Sequence, residues 1–261
     1  MTEPGRPSRS SREQFGARAA LYARSLTHRE GESLQLVAEY AAPGPYRWAV
    51  DVGTGTGFTA FAVAPVAERV VAADITPAML GEARAISSER GLPNVGFALA
   101  LAESLPFADG SLDLVTCRVA AHHFHDLPQA VAEWRRVLAP GGTLVLADTT
   151  APEDEAAARW MDDFELRRDP SHVHDLSPSE WLALLEGAGF VTQEWALAAV
   201  PLEFDDWVRR SGTPPDEVER LRRDILHATP GVKDAFRVHQ DAEGAVRFQW
   251  DCLVVRAVRP T

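Results

Sequence analysis

The segment Gly-Thr-Gly-Thr-Gly at 53–57 places three glycines at alternate positions between an apolar run and a helix-like segment. Alternating glycines allow a tight turn and let a ligand lie against bare main chain. A dinucleotide loop would need its third glycine where Phe58 stands, and no Lys-Ser/Thr pair follows, so neither nucleotide-phosphate motif fits. The amino end of the next helix favours a carboxylate, and Asp51 can help to hold an adjacent ammonium, directly or through water. The segment therefore predicts a site for the amino-acid end of a ligand.

A second acidic residue, Asp74, ends the next apolar run. A carboxylate at the end of such a strand can accept both hydroxyls of a ribose, and Ile75 would flank an adenine ring. An amino-acid end and a nucleoside together describe S-adenosylmethionine. We therefore predict a pocket for this cofactor, which leaves as S-adenosylhomocysteine after donating its methyl group.

Strand-like and helix-like segments alternate around these residues. Strands are expected at 48–52, 70–74, 95–99, 112–117 and 143–148, and helices at 59–67, 77–90, 127–138, 151–168 and 178–187. A further helical stretch is expected at 205–228, interrupted by Gly212 and Pro214-Pro215. This alternation predicts a doubly wound α/β sheet with helices on both faces, in which ligands bind outside the carboxyl ends of the strands. The predicted organisation is a disordered tail at 1–14, N-terminal helices at 15–45, a cofactor-binding core at 46–150, and the rest of the sheet with a helical substrate lid at 151–261.

Composition limits the classes of partner. Of 261 residues, 46% are hydrophobic, which is enough for a real core, and the net charge of −12 argues against binding to nucleic acid or to anionic membranes. The two cysteines, Cys117 and Cys252, exclude a disulfide framework and a four-cysteine zinc site, and they favour a reducing compartment. No apolar run approaches the length of a membrane span, so a cytoplasmic protein is expected.

The chain resembles the class I S-adenosylmethionine-dependent methyltransferases, and within them the UbiE-type (type 11) group. The resemblance is carried, in the family's order and spacing, by the segments 50–58, 74–80, 102–107, 113–115, 122–124 and 136–142. A looser similarity from 168 onward points to a YcgJ-like bacterial subgroup. The family implies a Rossmann-like, seven-stranded, mostly parallel sheet whose last strand is antiparallel, together with a helical lid insertion.

The resemblance also implies how the cofactor is held. The N-terminal helices close over it, with Tyr22 near the sulfonium. Leu101 stands where many relatives place an acid that bonds the adenine amino group, so adenine recognition depends more on the backbone near Ala102, on Glu103 and on packing. The predicted cofactor-binding residues are Tyr22, Asp51, Gly53, Thr54, Gly55, Gly57, Asp74, Ile75, Met79, Ala102, Glu103 and Arg118.

Three histidines, His122, His123 and His125, follow the strand at 112–117, where cofactor and acceptor meet in this fold. Imidazole can accept a proton near neutral pH. His122 and His123 are therefore the candidate catalytic residues, and each could act as a base or orient the acceptor. One of them could instead cap the next helix or pack beneath it.

A polar cluster follows the predicted lid helix and contains Arg167, Arg168, Asp169, His172, His174 and Asp175. It could bind an acidic acceptor or tie the lid to the core, and its histidines with Asp175 could mimic metal ligands. Methyl transfer needs no metal, and no matching donor set is evident beside the histidines at 122–125. We therefore predict no metal site.

The predicted function is transfer of a methyl group to an O, N or C atom of a small organic molecule. Two alternatives stay open at this point. One is an enzyme of the same fold that binds the cofactor but catalyses a non-methylating step such as a cyclisation, and the other is a non-catalytic protein that only binds the cofactor. Nucleic acid and membrane insertion are not expected, and a homodimer is compatible with the sequence.

Overall fold

Strands and helices alternate as the sequence predicts in a computed structural model, which describes residues 11–24 and 29–261. The strands are β1 (Tyr46–Val52), β2 (Ala67–Asp74), β3 (Val95–Leu99), β4 (Leu112–Arg118), β5 (Leu138–Thr150), β6 (Val191–Glu203), β7 (His239–Gln240) and β8 (Val246–Val258). The helices are α1 (Ser11–Gly16), α2 (Ala19–Arg24), α3 (Glu32–Ala41), α4 (Phe58–Val63), α5 (Pro77–Glu89), α6 (Leu127–Val137), α7 (Glu155–Arg168), α8 (Pro178–Gly187), α9 (Phe204–Ser211), α10 (Pro215–Leu226) and α11 (Pro230–Ala235).

The sheet has the strand order β3-β2-β1-β4-β5-β8-β6, and the two-residue β7 pairs with β8. Pairing is parallel from β3 through β5, whereas β8 runs antiparallel to both β5 and β6. The predicted mostly parallel sheet with an antiparallel last strand is confirmed, and β7 adds a short eighth strand. The chain leaves β1 for β2 on one side and returns to β4 on the other. The carboxyl ends of β1 and β4 therefore form the crevice where such sheets bind ligands.

Helices cover both faces of the sheet, as predicted. Successive residues of a strand point to opposite faces, so Val50 joins one apolar cluster and Ala49 joins the other. On the first face, α6 and α8 contribute the buried rings of Trp134 and Trp181. On the second face, α4 contributes Phe61. The sheet is thus held between two apolar layers, and its strand ends are left to carry polar groups.

The first helix begins within the range of the predicted tail at 1–14. Helix α1 includes the last four residues of that range, because Gln14 has a tertiary partner. Its side-chain amide is buried and donates a hydrogen bond of 3.0 Å to the carbonyl oxygen of Ser211 in α9. Residues 1–10 of the predicted tail lie outside the described residues.

Two predicted helices have different limits. The helix expected from 151 begins at Glu155, since the Asp154 carboxylate accepts a hydrogen bond from a backbone N–H of the first turn and caps it. The helical stretch expected at 205–228 is divided into α9 and α10 at the predicted interruption. Gly212 adopts a left-handed conformation (φ 65°) at the end of α9, a conformation that glycine accepts readily.

Helices α7, α9, α10 and α11 pack with the beginning of β8 around a third apolar cluster, rich in aromatic rings. Phe164 of α7 stacks on Trp207 of α9 with ring centroids 4.9 Å apart. Trp250 of β8 donates its Nε1–H to Glu165 of α7 at 2.5 Å. These helices are the predicted substrate lid. The structure gives the lid an apolar core of its own, and its movement stays a prediction.

Replacing Phe164 by Ala should empty the centre of this third cluster, because the Phe164 side chain is 1% exposed. We expect the free energy of unfolding to fall by about 3–5 kcal/mol, the usual loss for a buried aromatic side chain, in urea titrations followed by tryptophan fluorescence. Leu166→Ala on the same helix is the control. Leu166 is 49% exposed, so its truncation should change stability by less than about 0.5 kcal/mol. Equal losses in the two variants would contradict this packing.

Candidate active site

Asp51 is the second-last residue of β1. It lies beneath the glycine loop at 53–57 and is fully buried. Its Oδ2 accepts hydrogen bonds from Thr54 Oγ1 (2.6 Å) and from the backbone N–H of Ala60 (3.1 Å). Its Oδ1 accepts from Thr116 Oγ1 of β4 at 2.8 Å. Burial raises the pKa of Asp51 to about 6, against the opposing effect of these hydrogen bonds. The carboxylate ties the loop to α4 and β4 from below, and its contact with a ligand's ammonium stays a prediction.

The three positions in the loop require glycine for different physical reasons. All three have positive φ, at 65° for Gly53, 53° for Gly55 and 93° for Gly57. A Cβ on Gly53 would lie 2.6 Å from the Cβ of Ala120, and one on Gly57 would collide with the Phe61 ring. A Cβ on Gly55 would meet no atom of the described residues within 4 Å. Packing therefore excludes side chains at the first and third glycines, whereas the second glycine keeps space open for a ligand.

Asp74, at the end of β2, is held in a fixed orientation by main-chain donors. Its Oδ2 accepts from the N–H of Gly55 at 2.8 Å, and its Oδ1 accepts from the N–H of Thr76 at 2.7 Å. Burial raises the pKa of Asp74, and these hydrogen bonds oppose the rise. Each carboxylate oxygen keeps a second lone pair, so the geometry leaves room for the predicted hydrogen bonds to ribose hydroxyls.

A cavity of about 1140 Å³ opens along the loop and the ends of β1, β2 and β4. Most of the predicted cofactor-binding residues line it: Tyr22, Gly53, Thr54, Gly55, Asp74, Ile75, Met79, Ala102, Glu103 and Arg118. The exceptions are Asp51, which lies below the loop, and Gly57, which turns the chain into α4. The structure thus brings residues from six separate segments of the chain around one space.

The rim of this cavity contains Leu101, which differs from the acid that many relatives have at this position. Leu101 lines the cavity and is 50% exposed, and its backbone forms a short bridge with Ser104. A leucine side chain has no hydrogen-bond acceptor for an adenine amino group. Ala102 and Glu103 line the same wall, and their contact with an adenine ring stays a prediction.

Arg118, the last residue of β4, is a buried cation in the wall of the cavity. Its Nε donates to Thr59 Oγ1 at 2.9 Å, and its Nη1 donates to Ser33 Oγ at 3.3 Å. Burial lowers the pKa of Arg118, which nevertheless stays charged because a guanidinium is not deprotonated in proteins. The side chain is therefore a fixed positive charge, suited to the carboxylate of an amino-acid group.

A second cavity, of about 760 Å³, lies next to the first, between the N-terminal helices, the ends of β4 and β5, and α7. Its wall combines aromatic rings, including Trp207 and Trp250, with the buried carboxylates of Glu165 and Asp169 and the half-buried guanidinium of Arg168. The two cavities share the wall residues Phe15, Tyr22, Arg118, Val119 and His123. Two ligands that occupy both cavities would meet at these residues.

His122 is paired with a carboxylate. Its Nδ1 lies 2.7 Å from Oδ1 of Asp148, and its backbone N–H donates to Oδ2 of the same residue at 2.8 Å. Burial alone would lower the pKa of His122, but the Asp148 carboxylate outweighs it and raises the pKa to about 9. The ring is therefore an imidazolium at neutral pH and is not available as a proton acceptor.

His123 has the opposite electrostatics. Burial and the neighbouring positive charge of His122, whose ring centroid is 4.1 Å away, hold its pKa well below the usual range. The ring is neutral, and its Nδ1 lies 3.0 Å from the carbonyl oxygen of Ser171. A carbonyl oxygen only accepts, so Nδ1 carries the proton and Nε2 carries the lone pair. Phe15 packs edge-on against this ring at 4.8 Å.

The sequence analysis misses two charged residues of the site, Asp148 and Glu165. Asp148 lies two residues before the end of β5, whereas Asp74 is the last residue of β2, so an acid near the carboxyl end of a parallel strand was the available signal. Glu165 gives no such signal, because it lies on a helix rich in acidic residues and its burial depends on β8.

These features match a known family. A family model described as a methyltransferase domain (Methyltransf_11) matches residues 50–146. The methyltransferase YcgJ of Bacillus subtilis is 34% identical over 246 residues, which cover 94% of this chain and 97% of that protein. The chain belongs to the type 11 methyltransferases. Members of this family use S-adenosylmethionine, so the protein is an S-adenosylmethionine-dependent methyltransferase.

Other comparisons within the family agree. The crystal structure of YcgJ superposes with a TM-score of 0.82 and covers 88% of this chain and 98% of that chain. The demethylmenaquinone methyltransferase of Thermus thermophilus is 45% identical over 106 residues, which cover 40% of this chain and 47% of that enzyme. The similarity to that quinone methyltransferase thus covers less than half of either chain.

The residues present fit the family's cofactor. The open space at Gly55 leaves the loop backbone accessible, Arg118 offers a fixed positive charge for the methionine carboxylate, and Asp74 has lone pairs for the ribose hydroxyls. Ile75 and Met79 supply apolar surface for the adenine ring in the same wall. The contacts of these residues with the cofactor stay predictions.

Gly55→Ala should impair cofactor binding more than folding, because its new Cβ enters the cavity and touches no protein atom. In calorimetric titrations we expect S-adenosylhomocysteine to bind at least about tenfold more weakly, a loss of about 1.4 kcal/mol. Gly53→Ala is the matched control. It carries the same left-handed strain and also the clash with Ala120, so it should lose more thermal stability than Gly55→Ala. Unchanged affinity in Gly55→Ala would contradict the placement of the cofactor.

The charge on His122 predicts a pH dependence of stability. Its folded pKa of about 9 lies above the unfolded value near 6.5, so its contribution is complete below pH 6.5 and is lost as the pH rises through 9. His122→Asn keeps a hydrogen-bond donor near Asp148 and removes the charge. We expect the stability difference between wild type and His122→Asn to shrink by about 2–3 kcal/mol between pH 7 and 9.5. A constant difference in urea titrations would show that His122 is neutral. His123 stays neutral throughout this range.

Proposed function

We propose that this methyltransferase transfers the methyl group to an O, N or C atom of a small organic molecule bound in the second cavity. The observation that carries the proposal is the shared wall of the two cavities, formed by Phe15, Tyr22, Arg118, Val119 and His123. An in-line displacement requires acceptor, methyl and sulfur to be aligned, and the alignment of two ligands in adjoining cavities supplies much of the rate.

The bound cofactor supplies an electrophilic methyl group on a sulfonium. The residues of the chain bind and orient the ligands and exclude water. Arg118 and the loop backbone fix the amino-acid end, and Asp74 fixes the ribose. Phe15 packs against Tyr22 with ring centroids 5.4 Å apart, and these two rings cover the place where the cavities meet and exclude water from it.

His123 is the proton acceptor in this proposal. It is neutral, and its Nδ1–H is held by the Ser171 carbonyl, so its Nε2 lone pair can take a proton from the acceptor or orient it by a hydrogen bond. His122 holds its charge through Asp148, and that charge makes His123 a weak base. His123 is nevertheless the better candidate, because a protonated His122 has no lone pair to accept a proton.

The acceptor in this proposal is polar. The Thermus relative is named for a quinone, demethylmenaquinone, and its similarity covers 40% of this chain. In this chain the second cavity is lined by the charged residues Glu165, Arg168 and Asp169. Arg168 Nη1 pairs with Glu165 Oε2 at 3.1 Å, whereas Oδ2 of the buried Asp169 has no hydrogen-bond partner among the described residues. A buried carboxylate needs polar partners, which a hydrophobic quinone would not supply. A polar small molecule is thus the better match.

The proposal leaves nucleic acid and membranes out of the list of partners. The net charge of −12 disfavours a phosphate backbone. Within residues 11–24 and 29–261, none of the helices combines the length and the apolar character of a membrane span. A homodimer is also proposed, because the edge strand β6 exposes Val191, Trp195 and Leu197, and light scattering on the purified protein tests it.

Release of S-adenosylhomocysteine tests the function directly. The purified enzyme is incubated with S-adenosylmethionine and a panel of polar small molecules that bear hydroxyl, amine or activated carbon groups. We expect mass spectrometry to find an acceptor heavier by one methyl group, with an equal amount of S-adenosylhomocysteine, and less product from Gly55→Ala at the same cofactor concentration. A rearranged acceptor of unchanged mass, without S-adenosylhomocysteine, would establish a non-methylating enzyme instead. Tight cofactor binding with no product from any acceptor would support a binding protein.

Substitution of His123 separates base from orienting group. If His123 is the base, His123→Ala should lower kcat by about 10²–10⁴-fold, the usual scale of general acid–base catalysis, while the affinity for S-adenosylhomocysteine stays nearly constant. His123→Asn keeps hydrogen bonding without basicity. Recovery of most of the activity in His123→Asn, measured with the acceptor found in the panel, would exclude the base and leave the orienting role.

A further inference from the structure

Asp162 of α7 and the loop after this helix bring three metal-ligating side chains together. Nε2 of His172 lies 3.2 Å from Oδ1 of Asp162 and 3.8 Å from Oδ2 of Asp175. One donor atom of each of the three residues lies within 4.8 Å of the other two. A tetrahedral zinc site with bonds of about 2.0–2.2 Å separates its donors by roughly 3.4 Å. The cluster therefore has nearly the size of a first coordination shell.

The sequence analysis weighed His172, His174 and Asp175 as metal ligands and predicted no site. It did not include Asp162, which lies ten residues before His172 and reads as one more acid on an acidic helix. The structure adds this carboxylate and shows that His174 contacts it, with Nδ1 2.6 Å from Asp162 Oδ2. His174 thus supports the orientation of Asp162 from the solvent side.

Asp175 supplies an independent observation. Its side chain is buried, and within residues 11–24 and 29–261 neither of its carboxylate oxygens has a hydrogen-bond partner. An ionised carboxylate in such a place is costly unless it is paired or bound to a metal. One of its oxygens faces His172, and the residue also lines the second cavity. The oxygens are therefore directed at the cluster and at a space through which an ion can enter.

We propose that Asp162, His172 and Asp175 form a binding site for a divalent first-row transition metal ion, with zinc as the best match. One imidazole nitrogen with two carboxylates suits zinc, cobalt or manganese better than magnesium, which prefers oxygen donors and keeps its water. Three protein ligands leave at least one coordination position for a water or for an oxygen of another molecule.

The ion has a structural and a chemical consequence. It ties α7 of the lid to the loop at 169–175, and Asp175 places it at the wall of the second cavity. There its open position can hold an oxygen of the methyl acceptor and polarise it. That last step rests on the proposed function, whereas binding of the ion does not.

Titration of the tag-free, chelator-treated protein with cobalt tests the site, because protein-bound cobalt absorbs visible light through its d–d transitions. We expect a stoichiometric absorption band that zinc abolishes by displacement, and a melting temperature that zinc raises and magnesium does not. Absence of a band at a large molar excess of cobalt would overturn the proposal.

Asp175→Asn is the decisive variant, because it keeps the shape of the side chain and sacrifices no hydrogen bond. The metal-free variant should be at least as stable as the metal-free wild type. Its cobalt affinity should fall by more than about 100-fold, beyond the 10–100-fold typical of residues behind the ligands. His227→Asn removes an exposed histidine that bonds a backbone carbonyl and should bind cobalt like wild type. An unchanged band in Asp175→Asn, or a lost one in His227→Asn, would refute the site. Titration with S-adenosylhomocysteine separately reports on the proposed function.

Discussion

The buried carboxylate of Asp51 is the constraint on which the site depends. It lies where β1, the glycine loop, α4 and β4 meet, and its oxygens accept hydrogen bonds from one group of each of the last three. Without these bonds the loop would have no fixed path, because glycines lose more conformational entropy on folding than any other residue. The fixed loop in turn directs the N–H of Gly55 toward Asp74. Asp51 thereby also orients the carboxylate of Asp74 at the end of β2.

A second chain of dependence runs through charge. Asp148 makes His122 an imidazolium, and that positive charge, together with burial, keeps His123 neutral. Two adjacent rings of the same chemical type thus acquire opposite protonation states from one carboxylate. The backbone contributes as well, since Val119 has a φ of 52° just before the turn that carries the two histidines. A β-branched residue accepts such a conformation only where its surroundings impose it.

Local patterns predict the parts of the fold that short-range physics determines. The strand at 95–99 and the helix at 178–187 have the limits that the sequence indicates, because apolar periodicity, a proline in the first turn and a capping serine all act within a few residues. The glycine loop and Asp74 were predictable for the same reason. The limits of α9 and α10 depend on Gly212, whose conformation a sequence pattern indicates only as a break.

Contacts between residues that are far apart in the chain could not be predicted from the sequence. Asp148 is 26 positions from His122, and the Gln14–Ser211 bond joins residues 197 apart; no periodicity connects them. The protonation states of the histidines escaped for the same reason, since they depend on those long-range partners. The residue types identify His122 and His123 as candidates, but only the folded structure distinguishes the charged ring from the neutral one.

The hydrogen bond between Gln14 and Ser211 also bears on how the enzyme turns over. It fastens α1 to α9 beside the place where Phe15 of α1 borders both cavities. A single displacement of α1 would therefore unblock two compartments together. Exchange of the spent nucleoside and departure of the methylated molecule would then share one opening event. The residence time of each would depend on the strength with which this short helix is fastened, and not on its own contacts alone.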